Sequence, residues 1–500
     1  MKSAIIIGGG LGGLFTGAFL SKEGVKVTIV EKNAIIGGGL QSFKRFGASF
    51  DTGMHIIGGM RPGGNIYNIC RYLGILDEVK VRDVDDSCTD SLYFEEDGKE
   101  YKIAKGKEGF INSLAAYFPE ERVGLEKYIE DIFRITDEMN LFHLRPSSSY
   151  IPVHSEEFGQ YADEFIASHF NDPKLCSVVA YMNPLYGGRA HQTPAFIHAI
   201  INVLYINGAS RFVDDSFHFA DSLAKVITAN GGRILNGEEV NRVVTDKRHI
   251  ECVMTSKGNT LTADTYISAI HPCALLRITD QGTFPKSYTN RLNSIPNSYS
   301  AFSLYIKLKP QSFKYFNYSQ YYMTRYDDVW SFGRTDKTWP LGFLIMTPPE
   351  SDQGEYAEKI LITAPMSFDS VKQWEDTTVG RRGQNYLDWK DSMTQLILDK
   401  VENIYPGFRG CIENVNTSSP LTIRDFYGTK DGAITGFSKD ADNLALSQVP
   451  VVTKVDNLLL TGQNVNMNGF CGVALSAITT CEAMLGNNYI VNKINQCKDS

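Results

Sequence analysis

Residues 4–31, AIIIGGGLGGLFTGAFLSKEGVKVTIVE, decide the fold of this chain. Residues 4–7 form a short apolar run typical of a buried parallel strand, and they lead directly into Gly8-x-Gly10-x-x-Gly13. A helical stripe follows, since apolar residues recur at Leu11, Leu14, Phe15, Ala18 and Phe19. A second apolar run, residues 25–30, ends at Glu31. Strand, glycines, helix, strand and acid in this order predict a βαβ unit that binds a dinucleotide.

Each part of this motif has a physical task. Gly8 permits the tight turn, Gly10 lets a pyrophosphate approach the backbone, and Gly13 lets the helix pack close to the strand. Leu11 and Gly12 begin the helix, whose free N–H groups favour phosphate. Glu31 can accept hydrogen bonds from ribose hydroxyls and would repel a 2′-phosphate. The alternative is a glycine-rich turn that binds nothing.

Composition excludes several classes of function. The chain has 500 residues, 43% hydrophobic and 21% charged, which predicts a globular protein of two or three domains. A formal net charge of −8 argues against nucleic acid as a partner. The nine cysteines include no CxxC pair and no Cys/His metal spacing, so neither a disulfide nor a metal site is predicted.

Targeting signals are the next consideration. The first strand begins by residue 4, which leaves no room for a signal peptide, and no run of 18 apolar residues occurs. Reduced cysteines and these absences predict a cytoplasmic protein. Peripheral contact with a membrane stays open.

The order of patterns predicts two discontinuous domains. Residues 1–75, 210–280 and 412–500 alternate strand and helix patterns, as a nucleotide-binding domain does. Residues 76–209 and 281–411 differ, with helices expected over 107–140, 156–169 and 384–405. Strand patterns at 299–308, 341–346 and 359–364 predict an antiparallel sheet in this second, α+β domain.

A second strand-to-glycine-to-helix unit lies near the other end, at residues 457–485, NLLLTGQNVNMNGFCGVALSAITTCEAML. A strand ends in Gly462-Gln463, and a polar loop with Gly472 leads into a helix expected to begin near Val473. The N-terminus of that helix could face the pyrimidine edge of a flavin, where reduction places negative charge. The alternative is a helix that merely docks on the sheet.

With both motifs in place, the chain resembles the glutathione-reductase-type FAD superfamily, which includes amine oxidases, phytoene desaturases and carotenoid isomerases, and within it the retinol saturase-like branch. The resemblance runs nearly end to end. The segments that carry it are FDTGMHIIG at 50–58, LTGQ at 460–463, Tyr186-Gly187, His198-Ala199 and SPLTIR at 419–424.

This resemblance implies an FAD-binding Rossmann domain and assigns residues to it. The ADP half of FAD would be held by Gly8, Gly10, Leu11, Gly12, Gly13, Glu31 and Lys32. The pyrophosphate and ribityl path would be lined by Gly37, Gly38 and Gly39, and the flavin ring approached by Gly53, Met54 and His55. Val240 and Ala269 would lie along the adenosine side, and the ribityl chain and ring would be flanked by Gly462, Gln463, Gly472 and Val473.

Two departures from the resembled pattern are visible. Relatives carry an arginine directly after the Gly-Gly pair, where this chain has Gly39, so a charged contact to the phosphates from that position is absent. Relatives also carry a Gly-Gly-Ser turn where this chain has Asp214-Asp215-Ser216. The two acids could alter the substrate channel, but capping the following helix is the favoured interpretation.

The chemistry expected is hydride transfer at flavin N5, since no nucleophile triad or metal cluster competes. A second complete GxGxxG is absent, so the unknown electron source or sink is expected either to bind without that fold or to be an external carrier. The first candidate acid is His55, whose alternative role is a core histidine beside the cofactor. Tyr186 and His191 are weaker candidates, and His198 is interpreted as structural. Aromatic residues that could line a lipophilic tunnel, or simply form core, are Phe158, Phe165, Phe170, Tyr181, Phe196, Tyr205, Phe302, Tyr305 and Phe343.

Three functions follow. The first is a flavoenzyme that reduces, desaturates or isomerises a lipophilic polyene or isoprenoid. The second is an amine oxidase, for which Phe426-Tyr427 could supply part of an aromatic cage. The third is a lipid-binding relative of the Rab-escort kind that lacks the flavin.

Overall fold

The N-terminal motif lies in the middle of a five-stranded parallel sheet. The computed structural model describes residues 2–53, 55–147 and 154–497. The strands of this sheet are, in spatial order, Arg233–Asn236, Lys26–Glu31, Ser3–Ile7, Thr265–Ser268 and Leu458–Leu460. All neighbours are parallel. Helices cover such sheets on both faces, which explains the nearly continuous apolar runs of the central strands.

The helix of the motif, Leu11–Lys22, joins the two ends of the chain. It packs between helices Phe217–Ala229 and Gly469–Leu485. The ring of Phe15 lies 5.8 Å from that of Phe219 and 5.9 Å from that of Phe470. The hydroxyls of Thr16 and Thr461 lie 2.9 Å apart. A helix enclosed in this way is apolar on every side, whereas the sequence pattern predicts a single apolar stripe.

A seven-stranded mixed sheet forms the second layer. Its spatial order is Ile412–Ser418, Ser300–Leu308, Lys359–Met366, Gly342–Met346, Ser319–Met323, Asp90–Phe94 and Lys99–Ile103. The three strands predicted from sequence are present. One neighbouring pair, Ser319–Met323 with Asp90–Phe94, is parallel, so the predicted antiparallel sheet is in fact mixed. These two strands lie far apart along the chain and are joined by a long crossover rather than a hairpin.

The two sheets draw their strands from different parts of the chain. All five strands of the parallel sheet come from 1–75, 210–280 and 412–500. Strand Ile412–Ser418 pairs instead with Ser300–Leu308 in the mixed sheet. The second layer therefore extends past residue 411.

Smaller elements connect the layers. The remaining strands are Ile57–Gly58, Ala209–Phe212 and Val81–Asp83; Val240–Asp246, His249–Thr255 and Thr260–Leu261; and the pair Ser42–Arg45 and Ala48–Asp51. The longer helices not yet named are Asn65–Leu73, Lys107–Ala115, Arg122–Asp137, Pro173–Val179, Ala195–Ile206, Pro272–Ile278, Lys286–Ser294, Gln384–Ile404, Pro420–Tyr427 and Tyr489–Gln496.

Helix boundaries agree with the sequence patterns in part. The helix expected over 384–405 is Gln384–Ile404. The one expected over 107–140 is divided by a 3₁₀ turn at Pro119–Glu121, since proline lacks the N–H that continues a helix. The pattern over 156–169 gives two short helices, Glu156–Gly159 and Ala162–Ala167.

The start predicted near Val473 is wrong, because the helix begins at Gly469. Gly472 is already helical there, and a Cβ on it would lie 2.7 Å from the Met467 side chain.

Among the described helices, none is long and apolar enough on its own to cross a bilayer. One pair bent by 114°, Gly469–Leu485 with Tyr489–Gln496, meets the criteria by length and composition alone.

Candidate cofactor and active site

A cavity of about 630 Å³ runs from the carboxyl edge of the parallel sheet to one face of the mixed sheet. This volume is in the range of small-molecule sites. Both glycine motifs contribute to its lining, and a Cβ on Gly12 would lie 2.8 Å from the Cα of Gly462. The structure therefore brings the two ends of the chain to one site.

Most of the residues predicted to hold a cofactor line this cavity. They are Gly8, Gly10, Leu11, Gly12, Glu31, Lys32, Gly38, Gly39, Gly53, His55, Val240, Ala269, Gly462, Gln463, Gly472 and Val473. Gly13 and Gly37 are not among the lining residues. Met54 lies outside the described residues.

Gly13 and Gly37 act behind the cavity wall. A Cβ on Gly13 would overlap the carbonyl oxygen of Gly8, so this glycine permits the close approach of helix and strand. Gly37 has a φ of +112°, and its N–H donates to the Gly9 carbonyl at 2.8 Å. Both residues shape the loop that borders the cavity.

Glu31 is oriented by two backbone groups. Its Oε2 accepts from the Gly9 N–H at 2.6 Å, and its Oε1 accepts from the Asn33 N–H at 2.8 Å. A carboxylate has about four acceptor positions, so each oxygen retains one for a ribose hydroxyl. Lys32 also lines the cavity, and its Nζ donates to the Asp425 carbonyl at 2.7 Å.

Two helix N-termini face the cavity. Helix Leu11–Lys22 begins after Gly10, and helix Gly469–Leu485 begins after Asn468. In the described part of the chain, neither of these N-cap residues accepts a hydrogen bond from the N–H groups of its helix through a side chain. Residues of both first turns line the cavity. Their free N–H groups and partial positive charge suit the pyrophosphate and the pyrimidine edge of FAD, so the site fits this cofactor.

Tyr427 occupies the region where Gly39 replaces an arginine. Its hydroxyl donates to Thr52 Oγ1 at 3.2 Å and lies 3.8 Å from the position a Cβ on Gly39 would take. A Cβ on Gly53 would overlap the same hydroxyl. Sequence reasoning connected Tyr427 only with an aromatic cage. Its neighbour Phe426 has 44% of its surface exposed, although some of its atoms border the cavity.

The rest of the cavity wall is mostly apolar, and a helix and a sheet contribute most of it. Helix Ala195–Ile206 contributes one face, consisting of Ile197, Ile200, Ile201, Leu204 and Tyr205. The mixed sheet contributes alternate residues on one face, namely Ala301 and Ser303, Tyr321 and Met323, Leu344 and Met346, and Thr363 and Pro365.

Most of the aromatic residues proposed for a tunnel have another role. Only Tyr205 and Phe343 of that set line the cavity. The others are buried in the core: Phe158, Phe165, Phe170, Tyr181, Phe196, Phe302 and Tyr305. The helical spacing of the aliphatic residues 197, 200, 201 and 204 was the sequence signal for the wall.

His55 lies at the cavity, but in its neutral form. Its Nδ1 is buried without a hydrogen-bond partner among the described residues. Burial, with the charge of Arg211, lowers the pKa of His55 to about 4. Near pH 7 it can therefore accept a hydrogen bond but carries no acidic imidazolium proton.

Tyr186 belongs to a buried polar network instead. Its hydroxyl lies 3.0 Å from His198 Nδ1, and the Tyr128 hydroxyl lies 2.6 Å from His198 Nε2. Tyr186 is not among the cavity-lining residues, so this placement does not bring its hydroxyl to the site. His191 is 70% exposed beside Asp163.

The His198 network predicts acid sensitivity. Burial lowers the pKa of His198 to about 3, so between pH 6.5 and 3 the unfolded chain binds a proton that the folded chain does not. Stability from this group is complete above pH 6.5 and decreases as the pH falls. Between pH 7 and pH 5, the unfolding free energy of the wild type should fall by roughly 2 kcal/mol more than that of His198→Gln, measured by urea denaturation. If the unfolding free energy of His198→Gln fell as steeply with pH as that of the wild type, the role given to His198 would be wrong.

Of the two acids before helix Phe217–Ala229, Asp215 bonds to the first turn of the helix, whereas Asp214 bonds to the loop at Ser351, so the predicted capping role holds for Asp215 and not for Asp214. Asp215 Oδ1 accepts from the Phe217 N–H at 3.1 Å, and Asp214 Oδ1 accepts from the Ser351 N–H at 2.8 Å. Neither acid lines the cavity. Asp51 accepts from the Ser216 N–H at 2.7 Å and completes this turn.

The Rossmann-like sheet, the two facing helix N-termini and the glycine-lined cavity define an FAD-dependent oxidoreductase. Comparison with known families agrees, because the model of flavin containing amine oxidoreductases matches residues 11–485. The chain belongs to this family.

Individual proteins are similar to nearly the whole of this chain. All-trans-retinol 13,14-reductase of Rattus norvegicus is 26% identical over 97% of this chain and 86% of its own length. Prolycopene isomerase 1 of an Oncidium hybrid cultivar is 23% identical over 92% of this chain and 80% of its own length. Among solved structures, cyclohexylamine oxidase of Brevibacterium oxydans superposes with a TM-score of 0.63 at 14% identity, covering 97% of this chain and 99% of that one.

Proposed function

We propose that this FAD-dependent enzyme acts on carbon–carbon double bonds of a lipophilic polyene or isoprenoid. The observation that carries the proposal is the direct continuity of the glycine-lined half of the cavity with its apolar half. The names of the rat and Oncidium relatives, a retinol reductase and a prolycopene isomerase, support the same class of substrate.

The chain's own groups divide the work in this proposal. When bound, FAD supplies hydride transfer to or from carbon. Glu31 and the two helix N-termini hold its polar parts. The wall formed by Ile197, Ile200 and Leu204 excludes water and orients an extended hydrocarbon by contact alone. Electrons would come from an external carrier.

The test follows reoxidation of the flavin. Holoenzyme is reduced with dithionite under anaerobic conditions and mixed with all-trans-retinol or prolycopene, and the flavin absorbance is recorded. We expect at least one polyene to restore the oxidised spectrum or to be isomerised. In Ile200→Trp the indole fills the apolar half, so reaction with polyenes should decrease at least about tenfold while reduction by dithionite is unchanged.

Other outcomes favour the other functions. Reduction of the oxidised flavin by cyclohexylamine or putrescine with release of hydrogen peroxide, and no reaction with polyenes, would establish an amine oxidase. A purified protein that stays colourless after addition of FAD would indicate the lipid-binding relative.

A further inference from the structure

Reduction of a double bond requires a proton donor, and neither predicted donor satisfies this need. His55 is neutral near pH 7, and the Tyr186 hydroxyl is held by His198 away from the cavity lining. If the proposed function holds, another group must protonate the substrate. The following inference rests on that function.

Tyr321 is placed for this task. It lies in strand Ser319–Met323 of the mixed sheet and lines the cavity, with 2% of its surface exposed. Its hydroxyl has no hydrogen-bond partner in residues 2–53, 55–147 and 154–497. By contrast, the Tyr205 hydroxyl donates to the Ile56 carbonyl at 3.3 Å, and the Tyr427 hydroxyl donates to Thr52. Tyr321 therefore offers the cavity an uncommitted O–H group.

A buried cation lies beneath this tyrosine. Arg211 is 1% exposed and donates to Ser319 Oγ at 3.3 Å, to the Thr347 carbonyl at 3.1 Å and to the Tyr318 carbonyl. Ser319 and Tyr321 are two residues apart on one strand, so they share a face of the sheet. Burial and the nearby Asp90 carboxyl oppose negative charge on the Tyr321 oxygen, so they raise its pKa, and the Arg211 guanidinium offsets them in part.

Tyr181 packs against Tyr321 and keeps its ring in place. The ring of Tyr181 meets that of Tyr321 edge-on, with centroids 5.1 Å apart. The Tyr181 hydroxyl donates to Asp90 Oδ2 at 3.1 Å. Burial raises the pKa of Tyr321 well above its ordinary value, so the proton is present throughout the neutral range.

The cluster lies at the cofactor end of the apolar half. Tyr205, Tyr321 and Cys471 line the same cavity, and Cys471 is in the first turn of helix Gly469–Leu485. Through its hydrogen bond to Ile56, Tyr205 also adjoins His55. A double bond that lies against the flavin thus passes this group of residues.

We propose that Tyr321 is the catalytic proton donor of double-bond reduction. One alkene carbon gains hydride, and the Tyr321 O–H bond breaks as a C–H bond forms at the neighbouring carbon. The phenolate that remains beside Arg211 regains a proton from water. In total the alkene gains two electrons and two protons, and the electrons come from the external donor, which is dithionite in the test.

The experiment compares the wild type with Tyr321→Phe as FAD-loaded holoenzymes. With prereduced enzyme and all-trans-retinol or prolycopene, we expect flavin reoxidation to slow at least about a hundredfold, in the usual range for loss of a proton donor. FAD content and the dissociation constant of the polyene for oxidised enzyme should change less than about threefold. In D₂O the wild-type product should gain deuterium at both carbons of the former double bond, because the N5–H of a reduced flavin also exchanges with solvent. The wild-type rate should not decline between pH 6 and pH 8, as it would with a histidine donor.

Two matched variants separate a chemical role from a structural one. Tyr186→Phe and Tyr322→Phe remove hydroxyls of buried tyrosines that do not line the cavity, and both should keep most of the activity. If Tyr321→Phe does not fold, 3-fluorotyrosine at position 321 preserves the ring and lowers the pKa of the phenol. The rate should then change with that pKa, whereas a merely structural hydroxyl would leave it unchanged.

The experiment distinguishes a failure of this inference from a failure of the proposed function. If the wild type reoxidises with a polyene and Tyr321→Phe keeps more than half of that rate, Tyr321 is not the donor and the proposed function stands. If no polyene reacts with or is isomerised by the wild type, the proposed function fails and this inference with it.

Discussion

Glu31→Arg should purify as a colourless protein that does not take up FAD. The substitution removes the acceptor of the Gly9 and Asn33 N–H groups and places a cation beside a helix N-terminus that is already positive. It also removes the acceptor for the ribose hydroxyls. We expect the affinity for FAD to fall at least about a thousandfold, roughly 4 kcal/mol, measured by quenching of FAD fluorescence during titration of the apoprotein.

Two controls make this loss specific. Glu31→Gln retains the size and an acceptor oxygen, so we expect a decrease of only about tenfold. Glu238 is another buried carboxylate, and it accepts from Thr255 and Asn259 at 2.6 Å without lining the cavity. Glu238→Gln should therefore keep its flavin. A yellow Glu31→Arg protein with wild-type FAD content would show that Glu31 does not have the role given to it.

The parts of the site predictable from sequence are those fixed by local geometry. A βαβ unit needs its glycines at set spacings because the turn, the phosphate approach and the helix packing each depend on a missing Cβ. Gly8, Gly10 and Glu31 could therefore be placed at the cofactor from the sequence, and the structure brings them to the cavity. The second motif was visible for the same reason, although the start of its helix was placed too late.

The parts not predictable depend on contacts between distant segments. Tyr321 lies in a strand whose neighbour, Asp90–Phe94, comes from more than 200 residues earlier, and Arg211 reaches it from a third segment. No local pattern marks such a group. Tyr186 shows the converse, since the sequence offered it as a candidate acid, whereas the structure gives it a buried partner in His198.

The chain offers an experiment that separates cofactor binding from packing within one motif. At Gly10 the backbone φ is −73°, and a Cβ would meet nothing nearer than the Gly38 Cα at 3.9 Å. The apoprotein should therefore accept Gly10→Ala within about 0.5 kcal/mol of the wild-type unfolding free energy. The methyl group would occupy the space that the pyrophosphate needs, and we expect FAD affinity to fall at least about a hundredfold.

Gly13→Ala should behave in the opposite way. Its Cβ would overlap the Gly8 carbonyl oxygen, and both backbones belong to the buried centre of the sheet and helix, so neither can move freely. We expect a loss of at least about 3 kcal/mol in unfolding free energy, measured on apoprotein in urea. Because Gly13 is not at the cavity, FAD should stabilise whatever fraction folds. Wild-type FAD affinity in Gly10→Ala, or wild-type stability in Gly13→Ala, would show that these two glycines do not have the separate roles assigned to them.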